Sequence, residues 1–389
     1  MRVFVTDAHW RKSLAAVRSL GEKGIEVTVG ESCRLATSLF SKYCTRRVIY
    51  PSPLSDPDGF INFLLDTLKK TRYDCLLPME EETLLLVAKY REEISKLTYL
   101  LVPEYRRLTF VRDKGTLLRH ALQSGMIPCP KTYFIKELRE IDAVAEGAEY
   151  PLVIKPRVSS GSRGICYVSC REELVTKYRK VHERYNYPLI QEYIPSGSGT
   201  FGFAALFNED SQLKAAFVHK RLREYPVSGG PSTLRESVYH EEIKALGIKL
   251  LQSLHWVGVA MVEFKVDPRD NRPKLMEINP RFWGSLVLAV AAGVDFPYLI
   301  CKMSLGEDVE PVHNYQIGKK ARWLLPGDMM HFFSMLRQGH ITKGFFKFFD
   351  GATTYDIISM DDPLPTVGRI LSLFTLLYDN DMKRVLRDR

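Results

Sequence analysis

Two alternating runs in the second half of the chain hold the residues best suited to chemistry. Successive side chains of a strand point to opposite faces. In "VAMVEFKVD" (259–267), Met261, Glu263 and Lys265 therefore share one face, and Val262, Phe264 and Val266 the other. In "LMEINPRFWGS" (275–285), the same rule groups Leu275, Glu277 and Asn279, with Arg281 just beyond, and leaves Met276 and Ile278 as core. The intervening "DPRDNRP" is built of turn-forming residues. An antiparallel hairpin centred near Asp270 sets Glu263 opposite Glu277. Opposed like charges destabilise a strand pair, so either a cation lies between them or one carboxyl keeps its proton. A hard divalent cation satisfies this: Mg²⁺ takes one or two carboxylates, water and phosphate oxygens, and Asn279 adds a neutral carbonyl oxygen. Arg281 supplies fixed positive charge beside a developing phosphoryl or acyl-phosphate anion. The competing reading is a surface strand with solvated acids, in which Asn279-Pro280 only starts a turn. A register slip of one residue would part the two acids.

Three further stretches could serve the same chemistry. "EYPLVIKPRVSSGSRGICYV" places Lys155 on a strand before a loop containing Ser159, Ser160, Gly161, Ser162 and Gly164. Backbone N–H groups of such a loop can cradle a polyphosphate, and a lysine reaches it as a point charge. The spacing is not GxxxxGK[ST] and no helix follows, which excludes a Walker loop; a plain hairpin turn has the same composition. "YPLIQEYIPSG" ends a short strand in Gln191, Glu192, Tyr193 and Ile194. This segment could offer backbone groups to an adenine edge with Ile194 against the ring, or be an ordinary strand end. "HKRLREYPVSGGPSTLRESV" gathers Lys220, Arg221, Arg223 and Arg235 around a Gly-Gly turn. They suit an acidic substrate, since Arg grips carboxylates with two parallel bonds, or they form a solvated basic loop.

These residues need a scaffold, and the pattern predicts an α/β and α+β protein. "RVFVTD", "SLAAVRSLGEKG" and "IEVTVGE" read as strand, helix and strand, the opening of a parallel sheet. GxGxxG is missing, so dinucleotide binding is not supported. "YDCLLPMEEETLLLVAKYREEI" repeats the plan, giving an N-terminal α/β domain over 1–110. Glu80, Glu81 and Glu82 follow a strand, where open sheets bind ligands, but acids at a helix N-terminus are the simpler reading. An α+β domain spans 111–325, with a small loop-bearing subdomain at about 131–190. Residues 326–389 read as a helical extension, from "MMHFFSMLRQGHITKGFFKFF" and "GRILSLFTLLYDNDMKRVLRDR". It is expected to pack on the body, with peripheral membrane contact as the lesser alternative.

Bulk properties narrow the classes. A chain of 389 residues suggests two or three domains, and its composition is that of a globular protein. The net charge of +9 fits a generally basic surface or attraction to anions, but no basic-aromatic nucleic-acid module is present. Seven cysteines without a CxxC pair do not suggest zinc or a disulfide framework. "MRVFVTDAHW" enters a strand-like run at once, unlike a signal peptide, and "LVLAVAAGV" and "ILSLFTLLY" are too short to span a membrane. A cytoplasmic location is expected.

Taken in order, "RDKGTLLRHALQSGMIPCPKTY", "PLVIKPRVSSGSRGI", "LIQEYIPSG" and "MVEFKVD…KLMEINPRFWGS" resemble the ATP-grasp superfamily over roughly 112–300. The resemblance implies an ATP site between two α+β subdomains. Lys114 and Lys155 would contact phosphates, and the Gly/Ser loop would close over them. Gln191 would face the adenine amino group, while Glu192, Tyr193 and Ile194 would form the linker. Glu263, Glu277 and Asn279 would hold Mg²⁺, with Mn²⁺ as an alternative, and Arg281 would face the transferred phosphoryl. Two departures stand out. "PSGSGTFG" lacks the acid that many relatives use for ribose, and "RFWGSLVLA" lacks the glutamate and histidine of the biotin-carboxylase version. The resemblance implies an ATP-dependent carboxylate–amine ligase acting on small molecules, as a monomer or homo-oligomer. The alternatives are a bicarbonate-using carboxylase, a carbamoyl-phosphate-forming enzyme and a non-catalytic ATP sensor.

Overall fold

In the computed structural model, residues 1–375 are described, apart from 160 and 349. Ser160, expected in the phosphate loop, and residues 376–389 of the expected extension lie outside them. The β-branched runs at the N-terminus form β1 (Arg2–Val5), β2 (Glu26–Glu31), β3 (Cys44–Ile49) and β4 (Cys75–Leu77). They make a parallel sheet of order β3-β2-β1-β4. The helix Arg11–Gly21 buries Leu14, Val17 and Leu20 beside it, as its apolar spacing requires.

A second, antiparallel sheet has the order β5-β8-β6-β7, from β5 (Thr132–Phe134), β6 (Leu152–Lys155), β7 (Cys166–Val168) and β8 (Leu189–Glu192). The helices Glu140–Gly147 and Arg171–Arg184 cover it with a core of its own around Ile154, Leu174 and Tyr178. This sheet spans the region expected to carry the loop.

The central sheet has seven strands: β9 (Thr200–Phe207), β10 (Leu213–Glu224), β11 (Ser232–Ser237), β12 (Gly258–Val266), β13 (Pro273–Asn279), β14 (Lys320–Arg322) and β15 (Thr353–Tyr355). Their order is β13-β12-β9-β10-β11-β14-β15. Two expectations change here. The segment after 325 is not wholly helical, because β15 joins the sheet parallel to β14 between the helices Met329–Arg337 and Leu364–Thr375. The basic stretch 219–238 is not a solvated loop, since β10 and β11 pair through it as interior strands.

The expected boundary at 110 does not divide the cores. Phe4, Tyr73 and Leu76 of the first sheet share one apolar cluster with Phe203, Val262 and Ile278 of the central sheet. Val5 and Leu77 share another with Phe217, Trp283 and Phe296. Among the described residues, the small sheet alone has an interior of its own.

Candidate active site

β12 and β13 pair with Glu263 directly across from Glu277 and Met261 across from Asn279. The register then shifts: Phe264 pairs with Leu275, leaving Met276 as an extra residue in β13. Such a bulge reverses the alternation beyond it. Leu275 is consequently buried with Ile278 in the core, whereas Met276 faces the site, its Sδ 3.8 Å from Lys155 Nζ. This corrects the sequence expectation, which placed Leu275 beside Glu277 and Met276 in the core. Val262, Phe264 and Val266 are buried as expected.

The two glutamates draw cations from separate elements. Lys114 opens the helix Lys114–Ser124, which Asp113 caps by accepting from the N–H groups of Gly115 and Thr116 and which ends at Gly125 with φ 62°. That geometry carries Lys114 Nζ to 3.2 Å from Glu277 Oε2 and 2.6 Å from the Ser159 carbonyl. Arg221 on β10 reaches past β9 and pairs with Glu263. Lys155 ends β6 at the mouth of the loop, where Gly161, Ser162 and Gly164 have φ of 65°, 65° and 71°.

Burial pushes the Glu263 carboxyl up to about 7; Arg221 opposes the shift and Glu277 adds to it. Burial acts the same way on Glu277, but Lys114, Arg221 and Lys155 overcome it and hold that carboxyl below its ordinary value. Burial lowers the Lys155 ammonium to about 8, with Glu277 resisting and Lys114 assisting. Three buried or half-buried cations thus surround two carboxylates, one of them short of positive charge. An excess of cations suits a polyphosphate.

The donors fit a divalent ion of the magnesium type. Two facing carboxylates supply hard oxygen, and a carboxyl raised to about 7 marks a place where added positive charge is favourable. Asn279 Nδ2 lies 3.3 Å from Glu277 Oε1; a flipped amide would present oxygen instead. Among the described residues, no cluster of three or more His, Cys, Asp or Glu side chains could hold a metal, so the set is limited to two acids and an amide.

At the small sheet, Gln191 is buried and its Nε2 donates to Thr132 Oγ1 at 2.9 Å, while Oε1 is buried without a hydrogen-bond partner. An acceptor lacking a donor is what an exocyclic amine would satisfy. Glu192 is engaged elsewhere: its carboxylate accepts from Lys131 N at 2.8 Å and Arg269 Nη2 at 2.8 Å. The N–H groups of Glu192 and Tyr193 bond to the carbonyls of Lys131 and Pro151 at 2.9 and 3.1 Å, which takes two of the expected linker donors. Tyr193 packs edge-on to Tyr167 under Lys265, and Ile194 is buried.

Arg281 does not pair with the two glutamates. Its Nε lies 3.7 Å from Glu80 Oε2, and its Nη1 donates to the Phe282 carbonyl at 2.9 Å. Glu80 caps the helix Glu81–Lys89, as expected of an acid there, and also binds Lys12 Nζ at 2.6 Å. Lys12, nearly fully buried, donates to the Phe282 carbonyl at 3.1 Å; burial and Arg281 lower it to about 8 against the pull of Glu80. Sequence reasoning missed Lys12. The signal was Arg11-Lys12 at the start of a helix, where the dipole disfavours cations and another reason for them is needed.

The remaining basic residues divide. Lys220 lies over the Phe201 ring, and Arg221 belongs to the glutamate pair. Arg223 is held by Asp328 at 2.7 Å and the Lys343 carbonyl at 2.9 Å, and the fully buried Arg235 pairs with Asp356. The structure thus commits Arg223 and Arg235 to internal pairs, against their expected role in holding an acceptor.

Comparison with known proteins agrees with this architecture. The family described as "ATP-grasp in the biosynthetic pathway with Ter operon" matches residues 211–324. D-aspartate ligase of Enterococcus faecium is 26% identical over 273 residues, 64% of this chain and 64% of that protein. The carbamoyl phosphate synthase large chain of Methanobrevibacter smithii is 22% identical over 77% of this chain but only 28% of its own length. The chain therefore spans less than two thirds of either relative. The biotin carboxylase domain of Hydrogenobacter thermophilus 2-oxoglutarate carboxylase, solved with MgADP and bicarbonate, superposes with a TM-score of 0.66 at 15% identity, over 82% of this chain and 73% of that one. N5-carboxyaminoimidazole synthetase from Staphylococcus aureus, solved with ADP, gives 0.63 at 16% identity, over 82% and 80%. The chain has an ATP-grasp fold.

Proposed function

We propose that this chain is an ATP-dependent ligase that activates a small-molecule carboxylate as an acyl phosphate for attack by an amine. The observation that carries the reading is Glu263 facing Glu277 across β12 and β13, with Lys114, Lys155 and Arg221 converging on them. Lys114 and Lys155 would bind and orient the triphosphate, and the Gly/Ser loop would exclude water over it. Gln191 would accept from the adenine amino group. Glu263, Glu277 and Asn279 would hold Mg²⁺, which supplies charge neutralisation for phosphoryl transfer when bound. Arg281 would stabilise charge on the transferring phosphoryl, held in place by Glu80. Positioning and electrostatics are the main contributions a protein makes to such a transfer.

The similarity to D-aspartate ligase supports an amine as the attacking group. Phosphate release should therefore require Mg²⁺, a carboxylate and an amine together, and excess chelator should abolish it. Release driven by bicarbonate alone would instead favour the carboxylase or carbamoyl-phosphate reading. ATP binding with no release for any acceptor would favour a sensor. Glu277→Gln should lower kcat by at least about a hundredfold while the fold persists, because even indirect partners of a metal site are worth about ten- to a hundredfold. Near-normal turnover would remove Glu277 from the site.

A further inference from the structure

The helix Met329–Arg337 and the turn after it leave large apolar side chains in water. Phe333 and Leu336 are each 50% exposed, Ile341 75% and Phe346 69%. Lone exposed apolars are ordinary, but Phe333 and Leu336 lie three apart on one helix face, and Phe333 and Phe346 both pack on Phe332. The Phe332 ring stacks on Phe345 at 4.2 Å and lies 5.6 Å from both Phe333 and Phe346, so the exposed rings flank a common centre. That centre is anchored: Phe345 is buried beneath the Arg322 guanidinium at 4.8 Å, and Arg322 is fixed by Asp328 at 2.7 Å. The fold thus holds the patch rigidly from below.

Charge identifies the occupant. Residues 329–347 contain Arg337, Lys343 and Lys347 and no Asp or Glu. All three are exposed, and none forms an ion pair among the described residues. Apolar anchors ringed by basic residues, on a turn with positive φ at Gly339 and Gly344, match the headgroup and acyl layers of an anionic bilayer. A protein partner with an acidic rim would match the charge, but these residues form a turn and not a groove that receives a chain.

We infer that residues 333–347 dock this protein peripherally on an anionic lipid surface, with Phe333, Leu336, Ile341 and Phe346 inserting and Arg337, Lys343 and Lys347 meeting phosphate headgroups. The contact lies on the surface: among the described residues, no helix is long and apolar enough to cross a membrane. The test is flotation of the full chain with vesicles of phosphatidylcholine alone or mixed with phosphatidylserine. Binding is expected only with phosphatidylserine and should fall as salt rises. Lys343→Gln with Lys347→Gln should weaken partitioning about thirtyfold, from the usual contribution of a basic residue near an anionic surface. Phe333→Ser, Ile341→Ser and Phe346→Ser combined should abolish it. Both variants should keep the parent's circular dichroism and nucleotide binding, since the altered side chains are exposed and outside the candidate site. Failure to float with anionic vesicles would overturn the inference, as would full retention of binding in the triple variant. Self-association through the patch with no vesicle binding would also overturn it, assigning the patch to a second copy.

Discussion

Glu263 makes the site measurable without a substrate. Its carboxyl ordinarily titrates at 4.5 and is raised to about 7 in the fold. Between those values the unfolded chain has released this proton and the folded chain retains it. Raising the pH through that window therefore favours unfolding, and the loss levels off above about 7. Asp7, raised to about 6 mainly by burial with Glu31 adding, acts in the same direction, so the comparison must be made against a variant. Chelator-treated Glu263→Gln should lose less stability than the parent between pH 4.5 and 7 in urea titrations. Identical slopes would show that Glu263 does not carry the effect. Divalent cation should stabilise the parent more at alkaline than at acid pH, because binding must displace the retained proton.

At the scale of the strand, the bulge at Met276 decides which side chains enter the site. Inserting an alanine between Glu263 and Phe264 would give Met276 a partner, restore continuous pairing and carry either Glu263 with Glu277 or Phe264 with Leu275 to the wrong face. The expected result is loss of magnesium-dependent nucleotide binding by calorimetry together with a lower unfolding midpoint. Unchanged binding would mean that the bulge positions nothing. The loop between β6 and β7 offers a second test. Gly164 has φ 71°, and a Cβ there would lie 2.5 Å from the Tyr185 ring and 2.7 Å from Pro156. Gly164→Ala should cost about 1–2 kcal/mol from the left-handed backbone alone. It should also weaken nucleotide binding if the loop covers the phosphates.

Across the whole molecule, the N-terminal sheet is tied to the segment after 325 by buried ion pairs. Arg18 meets Asp362 at 2.9 Å; Asp362, 2% exposed on its side chain, also accepts from Ser41 Oγ at 2.7 Å and Lys42 N at 2.9 Å. Arg11 meets Asp356 at 3.2 Å, beside Arg235. Removing one partner of a buried pair leaves the other uncompensated, at about 3–5 kcal/mol. Asp362→Ala should therefore lower the urea midpoint of the whole protein in one transition, because the two largest apolar clusters each span both sheets. A separate early transition of the C-terminal segment would show that the tie is local.

Alternation alone was enough to place Glu263, Lys265 and the core-facing Val262 and Phe264, and turn residues located the hairpin between them. Both signals are local, so they survive in a bare sequence. Gly125, whose positive φ ends the helix that carries Lys114, is a local signal of the same kind. Met276 was misplaced because a bulge adds one residue without any trace in composition. The partners of Arg281, Arg223 and Arg235 were hidden for a different reason: Glu80, Asp328 and Asp356 lie far along the chain, and only packing of the sheets brings them close. Local residue order therefore determined which faces and turns could form. The tertiary structure decided which buried charges meet, since desolvation obliges each to find a partner wherever the fold supplies one.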